Sequence, residues 1–169
     1  ALESDAHLQG VSRYRISSIE PNLLTEELIE FVAQSDKFQP HFHIPLQSGS
    51  DEVLAAMRRR YRTDMYRDRL NHIVDLMPQA GIGIDVIVGF PGESDAHFAT
   101  TRDFLLGLPA SYLHVFTYSE RAKTTALRID DVVPVSERKA RNKMLQQVSM
   151  KMQWAHAAKF EGAVRPVLL

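Results

Sequence analysis

Residues 47–51 read Gln-Ser-Gly-Ser-Asp and place an amide, two hydroxyls and a carboxylate directly after an apolar run. These groups, with free backbone N–H groups at the start of a following helix, can bind the hydroxyls or the carboxylate of a small ligand. Ser50 and Asp51 are also residue types that cap helices, and a helix is predicted over 52–60. The segment is therefore interpreted as a helix cap that can also contact a ligand.

A second glycine-bearing loop spans residues 88–93, where Val-Gly-Phe-Pro-Gly-Glu leads from a predicted strand into a predicted helix. Gly89 and Gly92 permit a positive φ or a close approach of the backbone to a ligand. The loop is not a P-loop, because no Lys-Ser or Lys-Thr pair follows it. A rigid turn without a ligand is the alternative interpretation.

Histidines and cysteines limit the metal and redox chemistry that the chain itself can perform. His41 and His43 would lie on one side of a strand, but no acidic residue stands at ligand spacing beside them, so pocket-lining or core imidazoles are favoured over a metal site. The chain has no cysteine, which excludes disulfides, thiolate catalysis and any sulfur-held zinc or iron–sulfur site within it. Trp154 and the Met-rich stretch 144–152 are interpreted as helix packing rather than as a cofactor site.

Composition places the 169 residues among ordinary globular domains, with 44% hydrophobic residues, 24% charged residues and a net charge of −1. Arginine is concentrated in residues 58–69 and basic residues again in 121–143, which are either phosphate-facing patches or solvated helix surface. No apolar run reaches the roughly 18–20 residues that span a bilayer, and no signal-peptide pattern is present. We therefore expect a cytoplasmic protein with no membrane partner.

These chemical groups need a scaffold, and the pattern of the chain predicts alternating strands and helices. Four short runs rich in β-branched and aromatic residues are predicted strands, at 13–19, 41–47, 83–90 and 112–119. Amphipathic patterns predict helices that begin after Thr25 and that cover 52–60, 64–77, 95–108 and 136–160. This order predicts an α/β fold with parallel strands, either an open doubly wound sheet or part of a β/α barrel.

The carboxyl ends of the predicted strands share a polar character. In both of these architectures, ligands bind at the edge where parallel strands end. Each predicted strand is followed by hydroxyl, amide, charged or glycine residues, at 17–21, 47–51, 89–93 and 118–121. The sequence therefore predicts that these four ends converge on one pocket.

Five motifs in series resemble the radical S-adenosylmethionine methylthiotransferases. They are RISSIEP (15–21), HFHIPLQSGSD (41–51), M-x-R-x-Y (57–61), DVIVGFPGE (85–93) and FTYSERAKTTA (116–126). The resemblance implies that residues 1–161 are the later part of the family's central partial (β/α) barrel, with about four parallel strands and flanking helices. It also implies that residues 162–169 begin a truncated C-terminal RNA-binding β domain, and that the cysteines holding the family's [4Fe–4S] clusters lie upstream of Ala1.

The resemblance further implies which residues contact the cofactor S-adenosyl-L-methionine and which face the substrate. The implied cofactor contacts are Gln47, Ser48, Ser50, Asp51, Gly89, Phe90, Pro91, Gly92, Tyr118 and Ser119. The implied substrate-facing residues are Glu20, Arg59, Tyr61 and Arg121. No catalytic residue and no metal ligand in this chain is assigned in this way.

The implied reaction begins when a reduced cluster cleaves S-adenosyl-L-methionine to a radical that removes hydrogen from C2 of an adenine, after which a methylthio group is installed. SSIEP followed by HFHIPLQSGS resembles the members that act on N6-threonylcarbamoyladenosine beside the tRNA anticodon. The alternatives are members acting on isopentenyladenosine tRNA or on a ribosomal protein, and a stand-alone α/β nucleotide- or phosphate-binding module without redox chemistry. We expect the fragment to be inactive without its upstream cluster segment and to self-associate through the unpaired edge of strand 13–19.

Overall fold

A three-stranded parallel sheet forms the centre of the molecule. The computed structural model describes residues 10–122 and 124–165. The strands are β1 (His41–His43), β2 (Gly81–Val88) and β3 (Tyr112–Thr117), and they lie in the order β1-β2-β3. Both strand pairs are parallel, with Phe42 opposite Ile82 and Ile84 opposite Leu113. The prediction of an α/β fold with a parallel sheet is confirmed.

The two faces of the sheet differ because residues along a strand point alternately to opposite sides. On β2 the side chains of Ile82, Ile84, Val86 and Val88 are fully buried against the helices. Burying one such side chain contributes about 1.5–3 kcal/mol, so this packed face holds the core together. The opposite face of β2, which we call the open face, carries Gly81, Gly83, Asp85 and Ile87.

Five α-helices occur in residues 10–122 and 124–165, and they connect and cover the strands. They are α1 (Glu26–Gln34), α2 (Asp51–Ala56), α3 (Thr63–Leu76), α4 (Asp95–Leu106) and α5 (Val135–Ala158). Helix α1 packs against α3, whereas α5 packs against β3 and also contacts α4. Short 3-10 helices lie at Pro21–Leu23 and Thr125–Arg128.

Side-chain caps begin three of these helices, as N-terminal N–H groups without helical partners require. Thr25 caps α1 by accepting a hydrogen bond from the N–H of Leu28, as predicted. Ser50 caps α2 in the same way. Ser94 caps α4 in a reciprocal arrangement with the backbone and ring of His97. The predicted helices are therefore confirmed, with ends shifted by a few residues.

The strand predicted over 13–19 is wrong as regular structure, so the described sheet has three strands rather than about four. The segment forms one isolated bridge, between Tyr14 and Phe38, and the N–H of Ile19 donates to the carbonyl of His43 at 3.0 Å. Beyond His43 the N–H groups of Ile44 and Leu46 donate to β2, so the residue between them, Pro45, is the next one whose backbone faces the segment 13–19. Because proline has no N–H, the ladder towards 13–19 cannot continue there.

The C-terminal region departs from one further expectation. Trp154 is 80% exposed, so the prediction that it packs within the helix interface is wrong; the inner side of α5 is formed by Leu145, Val148 and Ser149. Of the predicted RNA-binding segment 162–169, the part up to 165 forms no strand, and residues 166–169 lie outside the described chain. The resemblance also implies a helix at residues 1–7, which likewise lie outside the described residues. No helix of the described residues is long and apolar enough to cross a membrane.

Candidate functional site

A pocket of about 490 Å³ lies where the carboxyl ends of the strands meet, and we call it the strand-end pocket. It opens beside the last residues of β2 and β3 and the loop that follows β1. Its walls combine polar and apolar groups, among them Gln47, Arg59, Asp85, Ile87, Tyr118 and Arg121. The predicted convergence of strand ends on a single pocket holds for Gln47 and Tyr118.

Gln47 reaches this pocket because of an unusual backbone conformation. Its φ is +73°, in the left-handed region that residues other than glycine rarely adopt. Its N–H donates to the carbonyl of Asp85 at 2.8 Å, and its own carbonyl accepts from the N–H of Ile87 at 2.9 Å. These two bonds to β2 hold the turn in place and leave the amide side chain at the pocket wall.

Tyr118 forms the second wall, at the end of β3. The centres of its ring and the Phe90 ring lie 5.4 Å apart in an edge-to-face arrangement. The guanidinium of Arg138, a residue of α5, lies 5.3 Å from the centre of the Tyr118 ring. Phe90 and Tyr118 also line an adjoining pocket of about 200 Å³. The hydroxyl of Tyr118 is buried and has no hydrogen-bond partner among the described residues. A buried hydroxyl without a partner is costly, and a ligand group can satisfy it.

Arg59 lines both pockets and, like Tyr118, has a buried polar atom without a hydrogen-bond partner among the described residues. Its Nη1 is 3.4 Å from Glu20 Oε1, a long contact between partly exposed groups, whereas its Nε is buried without a partner in the described part of the chain. Glu20 therefore stands at the rim of the site through Arg59. Ser119 and Arg121 are exposed on the far side, and Arg121 forms no ion pair with any described residue.

Three residues of the Gln-Ser-Gly-Ser-Asp loop direct their side chains away from the pocket. The Ser48 hydroxyl is fully buried, 3.1 Å from Thr101 Oγ1 on α4. Ser50 accepts the N–H of Val53 at 3.4 Å to cap α2. Asp51 accepts the N–H of Thr63 at 2.9 Å and also pairs with Arg62. These groups tie the loop to its neighbouring helices.

The Gly-Phe-Pro-Gly loop after β2 is shaped by its glycines. Gly89 has a φ of +76°, and a Cβ there would lie 2.3 Å from Arg138 Cγ, so Arg138 can pack directly on its backbone. Gly92, with a φ of +82°, donates its N–H to the carbonyl of Asp131 at 3.0 Å. Pro91 between them is buried. Of this loop, Phe90 is the residue that reaches a pocket wall.

Two buried arginines of α5 hold the loops that form the site. Arg138 donates to the carbonyls of Val133 and Tyr118 and pairs with Glu120 at 2.6 Å. The hydrogen bond from Arg138 lowers the pKa of the exposed Glu120 carboxyl.

Arg141 is the second of these arginines, and it pairs with Glu93 Oε1 at 2.6 Å. Burial raises the pKa of the Glu93 carboxyl, and the Gly89 N–H and Arg141 oppose this by stabilising the charged form. The end of β3 and the loop after β2 are thus fastened to one helix.

Tyr61 lies below the site rather than in it. It is buried, and its hydroxyl is positioned to donate to the carbonyls of Leu46 at 2.9 Å and Pro45 at 3.2 Å. Burial raises the pKa of this hydroxyl to about 12. Its neutral O–H therefore fixes the segment that leads to Gln47, while the implied contact with a substrate is not seen in the pocket lining.

The open face of the sheet contributes Asp85, Tyr112 and His114, which sequence reasoning did not assign to a site. Asp85 lies opposite His114, whereas His43 lies opposite Gly83 and reaches Asp85 diagonally; Asp85 also lines the strand-end pocket. Tyr112 lies directly over Gly83, where a Cβ would be 2.3 Å from its hydroxyl, and reaches His41. The signal was the alternation of polar and glycine residues along each strand, which marks a face without an apolar cover.

Comparisons with known proteins agree with this architecture. A family model described as the Radical SAM superfamily matches residues 3–105. The chain is 41% identical over 166 residues to the threonylcarbamoyladenosine tRNA methylthiotransferase MtaB of Bacillus subtilis, covering 98% of this chain and 37% of that protein.

Two further comparisons extend this result. The chain is 34% identical over 168 residues to the tRNA-2-methylthio-N(6)-dimethylallyladenosine synthase of Thermobifida fusca, and it spans 34% of that protein. The solved structure of coproporphyrinogen III oxidase (HemN) from Escherichia coli, a radical SAM enzyme, matches 83% of the chain with a TM-score of 0.68 at 18% identity. At that identity the likeness concerns the fold alone.

Proposed function

Since this chain belongs to the radical SAM superfamily, we propose that it is part of a tRNA methylthiotransferase that modifies C2 of N6-threonylcarbamoyladenosine next to the anticodon. The observation that carries the proposal is the 41% identity to the Bacillus subtilis enzyme, which extends over 98% of this chain. The chain spans only about 37% of that relative's length, so the activity belongs to a longer assembly of segments.

The strand-end pocket fits S-adenosyl-L-methionine in size and in polar character. Its volume of about 490 Å³ lies within the range of small-molecule sites. The Tyr118 hydroxyl and Arg59 Nε supply hydrogen-bonding groups that have no protein partner among the described residues, and Gln47 adds an amide. In the proposed complex Gln47, Phe90, Tyr118 and Ser119 contact the cofactor. The remaining residues of the two loops keep these four in position: Ser48, Ser50, Asp51, Gly89, Pro91 and Gly92.

Radical initiation is the chemistry that the cofactor and a [4Fe–4S] cluster supply when bound. The chain has no cysteine and therefore offers no thiolate ligand to such a cluster. Its own residues bind and orient the cofactor and exclude water from the apolar wall that Ile87 and Phe90 form. We accordingly propose that the isolated chain binds the cofactor without cleaving it.

The proposed tRNA substrate fits the distribution of positive charge around the pocket. Arg58, Arg60 and Arg62 are exposed in the connection between α2 and α3, and Arg121 stands at the opposite rim. In this proposal they neutralise phosphates, and binding weakens steeply with added salt. Arg59 and Glu20 form the boundary between the cofactor and the substrate base. The site of action is the cytoplasm, where tRNA is modified.

A chimera tests this proposal. The segment of the Bacillus subtilis enzyme that aligns with this chain is replaced by the aligned residues of this chain, and the chimera is produced in cells that lack the native enzyme. Mass spectrometry of tRNA nucleosides is expected to show the methylthio form of N6-threonylcarbamoyladenosine. An Arg59→Gln chimera is expected to lower its yield at least tenfold, and a Trp154→Gln chimera, changed far from the pocket, is the matched control.

The same measurement distinguishes the subgroups. Methylthiolation of dimethylallyladenosine instead would assign the chain to the group of the Thermobifida fusca relative. A folded chimera that carries its clusters and modifies neither nucleoside would reject the methylthiotransferase proposal. Turnover of S-adenosyl-L-methionine by purified 1–169 alone would reject the proposal that this chain binds the cofactor and that a cluster-bearing segment is needed to cleave it.

A further inference from the structure

His43, Asp85 and His114 form a compact cluster of metal-ligating side chains on the open face of the sheet. His43 Nε2 lies 2.7 Å from Asp85 Oδ1, and His114 Nδ1 lies 3.2 Å from the same oxygen. One ligand atom of each residue lies within 4.8 Å of the other two. Asp85 Oδ2 accepts no hydrogen bond from any residue that the structure describes. The carboxylate therefore keeps one oxygen available.

The cluster is placed by the sheet itself rather than by mobile loops. Each strand contributes one residue, and Asp85 stands directly opposite His114 in the register of β2 and β3. Neighbouring strands lie about 4.8 Å apart, so opposite side chains on one face lie close together. His43 stands opposite Gly83, two residues before Asp85, and because glycine has no side chain the His43 ring can reach Asp85 diagonally. The side chains of His43 and Asp85 are 16% and 22% exposed, and that of His114 is 50% exposed. An ion can therefore reach the cluster from the open face.

We propose that His43, Asp85 and His114 form a binding site for one divalent transition-metal ion, with Zn²⁺ as the reference ion. Two imidazole nitrogens and one carboxylate oxygen are a donor set that such ions favour. In a tetrahedral site, Zn²⁺ bonds of about 2.0–2.1 Å place neighbouring ligand atoms about 3.3 Å apart. The 3.2 Å between His114 Nδ1 and Asp85 Oδ1 is close to that spacing, and the 2.7 Å between His43 Nε2 and the same oxygen must lengthen when the ion binds.

Three protein ligands leave the fourth coordination position of a tetrahedral ion unfilled by this cluster. Sites with three protein ligands keep such a position open for water or a ligand oxygen, whereas structural zinc sites fill all four positions. Asp85 belongs both to the cluster and to the strand-end pocket, so the open position communicates with the pocket. The site therefore takes a ligand whose oxygen or nitrogen approaches from the pocket side.

Metal binding changes the tautomer of the two histidines without oxidation or reduction. In the metal-free cluster the His43 Nε2–H and the His114 Nδ1–H both point to Asp85 Oδ1. Each of these nitrogens must become a lone-pair donor to bind the ion. In a neutral imidazole the proton moves to the other ring nitrogen, which is Nδ1 of His43 and Nε2 of His114. No net proton is lost, and the carboxylate exchanges two hydrogen bonds for one metal bond.

Titration of the chelator-stripped 169-residue chain with Zn²⁺ in a calorimeter tests the site, with Co²⁺ absorption as a second readout. Because the chain has no cysteine, thiolates cannot contribute to either signal. We expect one saturable ion per chain. His43→Gln, Asp85→Asn and His114→Gln are each expected to weaken binding at least about tenfold, as loss of a ligand or its support does.

His41→Gln is the matched control, because His41 lies on the same strand and face but contacts Arg15 and Tyr112 instead of the cluster. It is expected to bind Zn²⁺ within about twofold of the unchanged chain. Imidazole nitrogen resonances of the unchanged chain give a readout that needs no substitution, and Zn²⁺ is expected to shift those of His43 and His114. Absence of a one-ion transition, or equal binding by all four variants, would overturn the proposal.

Discussion

At the scale of single residues, Arg141 shows how strongly the site depends on a buried charge. Its side chain is 5% exposed and contacts carboxylates of Glu93, Asp95 and Glu137. Glu93 is itself only 2% exposed at the side chain, so neither partner can return to water while the fold persists. Such a pair adds little net stability compared with apolar residues, but breaking it leaves a buried charge unpaired.

Arg141→Leu is therefore expected to lower the free energy of unfolding by about 3–5 kcal/mol. A double variant that adds Glu93→Leu removes the unpaired carboxylate and is expected to regain part of that loss. Urea denaturation followed by circular dichroism measures both. Arg102→Leu, which breaks an exposed pair with Asp103, is the control and is expected to change stability by less than about 1 kcal/mol. Equal effects of the two single substitutions would contradict this account.

His156 gives the fold a pH dependence whose sign follows from its environment. Burial lowers the pKa of its imidazole, with Lys159 and Arg165 adding to the effect. Its Nδ1 is 3.1 Å from the hydroxyl of Ser111, which in turn accepts the N–H of Ile82. The neutral ring can accept from Ser111, and the protonated ring cannot.

The unfolded chain therefore binds this proton more readily than the folded one, and stability is lost as the pH falls below the ordinary histidine value of about 6.5. His156→Gln keeps a hydrogen-bonding side chain but removes the titration. The melting temperature of the variant is expected to fall less than that of the unchanged chain between pH 7.5 and pH 5.5. An identical fall in both proteins would assign the pH dependence to another group.

At the scale of elements, the loop after β1 is held against α4 by the absence of a side chain. A Cβ on Gly49 would lie 2.8 Å from Thr101 Cα and 3.0 Å from Phe104 Cβ. Gly49→Ala is expected to cost about 1–3 kcal/mol of stability, because backbone on both sides must move. Gly107→Ala is the matched control, since its nearest contact would be 3.6 Å, and it is expected to change stability by less than about 0.5 kcal/mol. Thermal unfolding of the two variants decides between them.

The elements also show how far sequence reasoning reached. Caps at Thr25 and Ser50 and the apolar alternation of β2 predicted helices and strands correctly, because these signals act within a few residues. The prediction of a strand at 13–19 failed because this segment would have to pair with the backbone beyond His43, where Pro45 has no N–H to donate. Pro45 is distant in sequence from 13–19, so the local pattern could not show this.

Some residues of the candidate site were predictable from the sequence and others were not. Gln47 and Tyr118 were identified correctly as strand-end residues that share a pocket. The inward direction of Ser48 was not predictable, since it follows from the left-handed backbone of Gln47 and from a hydrogen bond to α4. Asp85 was missed because a lone aspartate in a strand becomes meaningful only when its neighbours across the sheet are known.

At the scale of the whole molecule, the sheet ends without a covering strand. The described order β1-β2-β3 leaves β3 at one edge, where Ser149 and Asn142 of α5 bond backbone groups of Leu113 and Val115. At the other edge the segment 13–19 forms the Tyr14–Phe38 bridge, the Ile19–His43 hydrogen bond and a contact of Arg15 with His41, but no continuous strand. Exposed edges of this kind pair readily with another chain. We therefore expect the isolated chain to self-associate as its concentration rises.

Sedimentation velocity over a range of concentrations measures this directly. Ser17→Pro removes the N–H of an exposed residue within 13–19 and is expected to reduce association if that segment is the contact. A wild-type chain that stays monomeric at high concentration would contradict the expectation. Association that Ser17→Pro leaves unchanged would place the contact outside the segment 13–19.

The anchoring of β3 by Arg138 has a practical outcome for anyone shortening this protein. Arg138 lies in the first turn of α5, yet it bonds the Tyr118 carbonyl and packs on Gly89. A truncation placed between Ala126 and α5 would retain every residue that lines the strand-end pocket. It would nevertheless remove the contacts by which Arg138 holds the end of β3 and the loop after β2. A useful expression boundary must therefore lie after the end of α5 rather than directly after the pocket-lining residues.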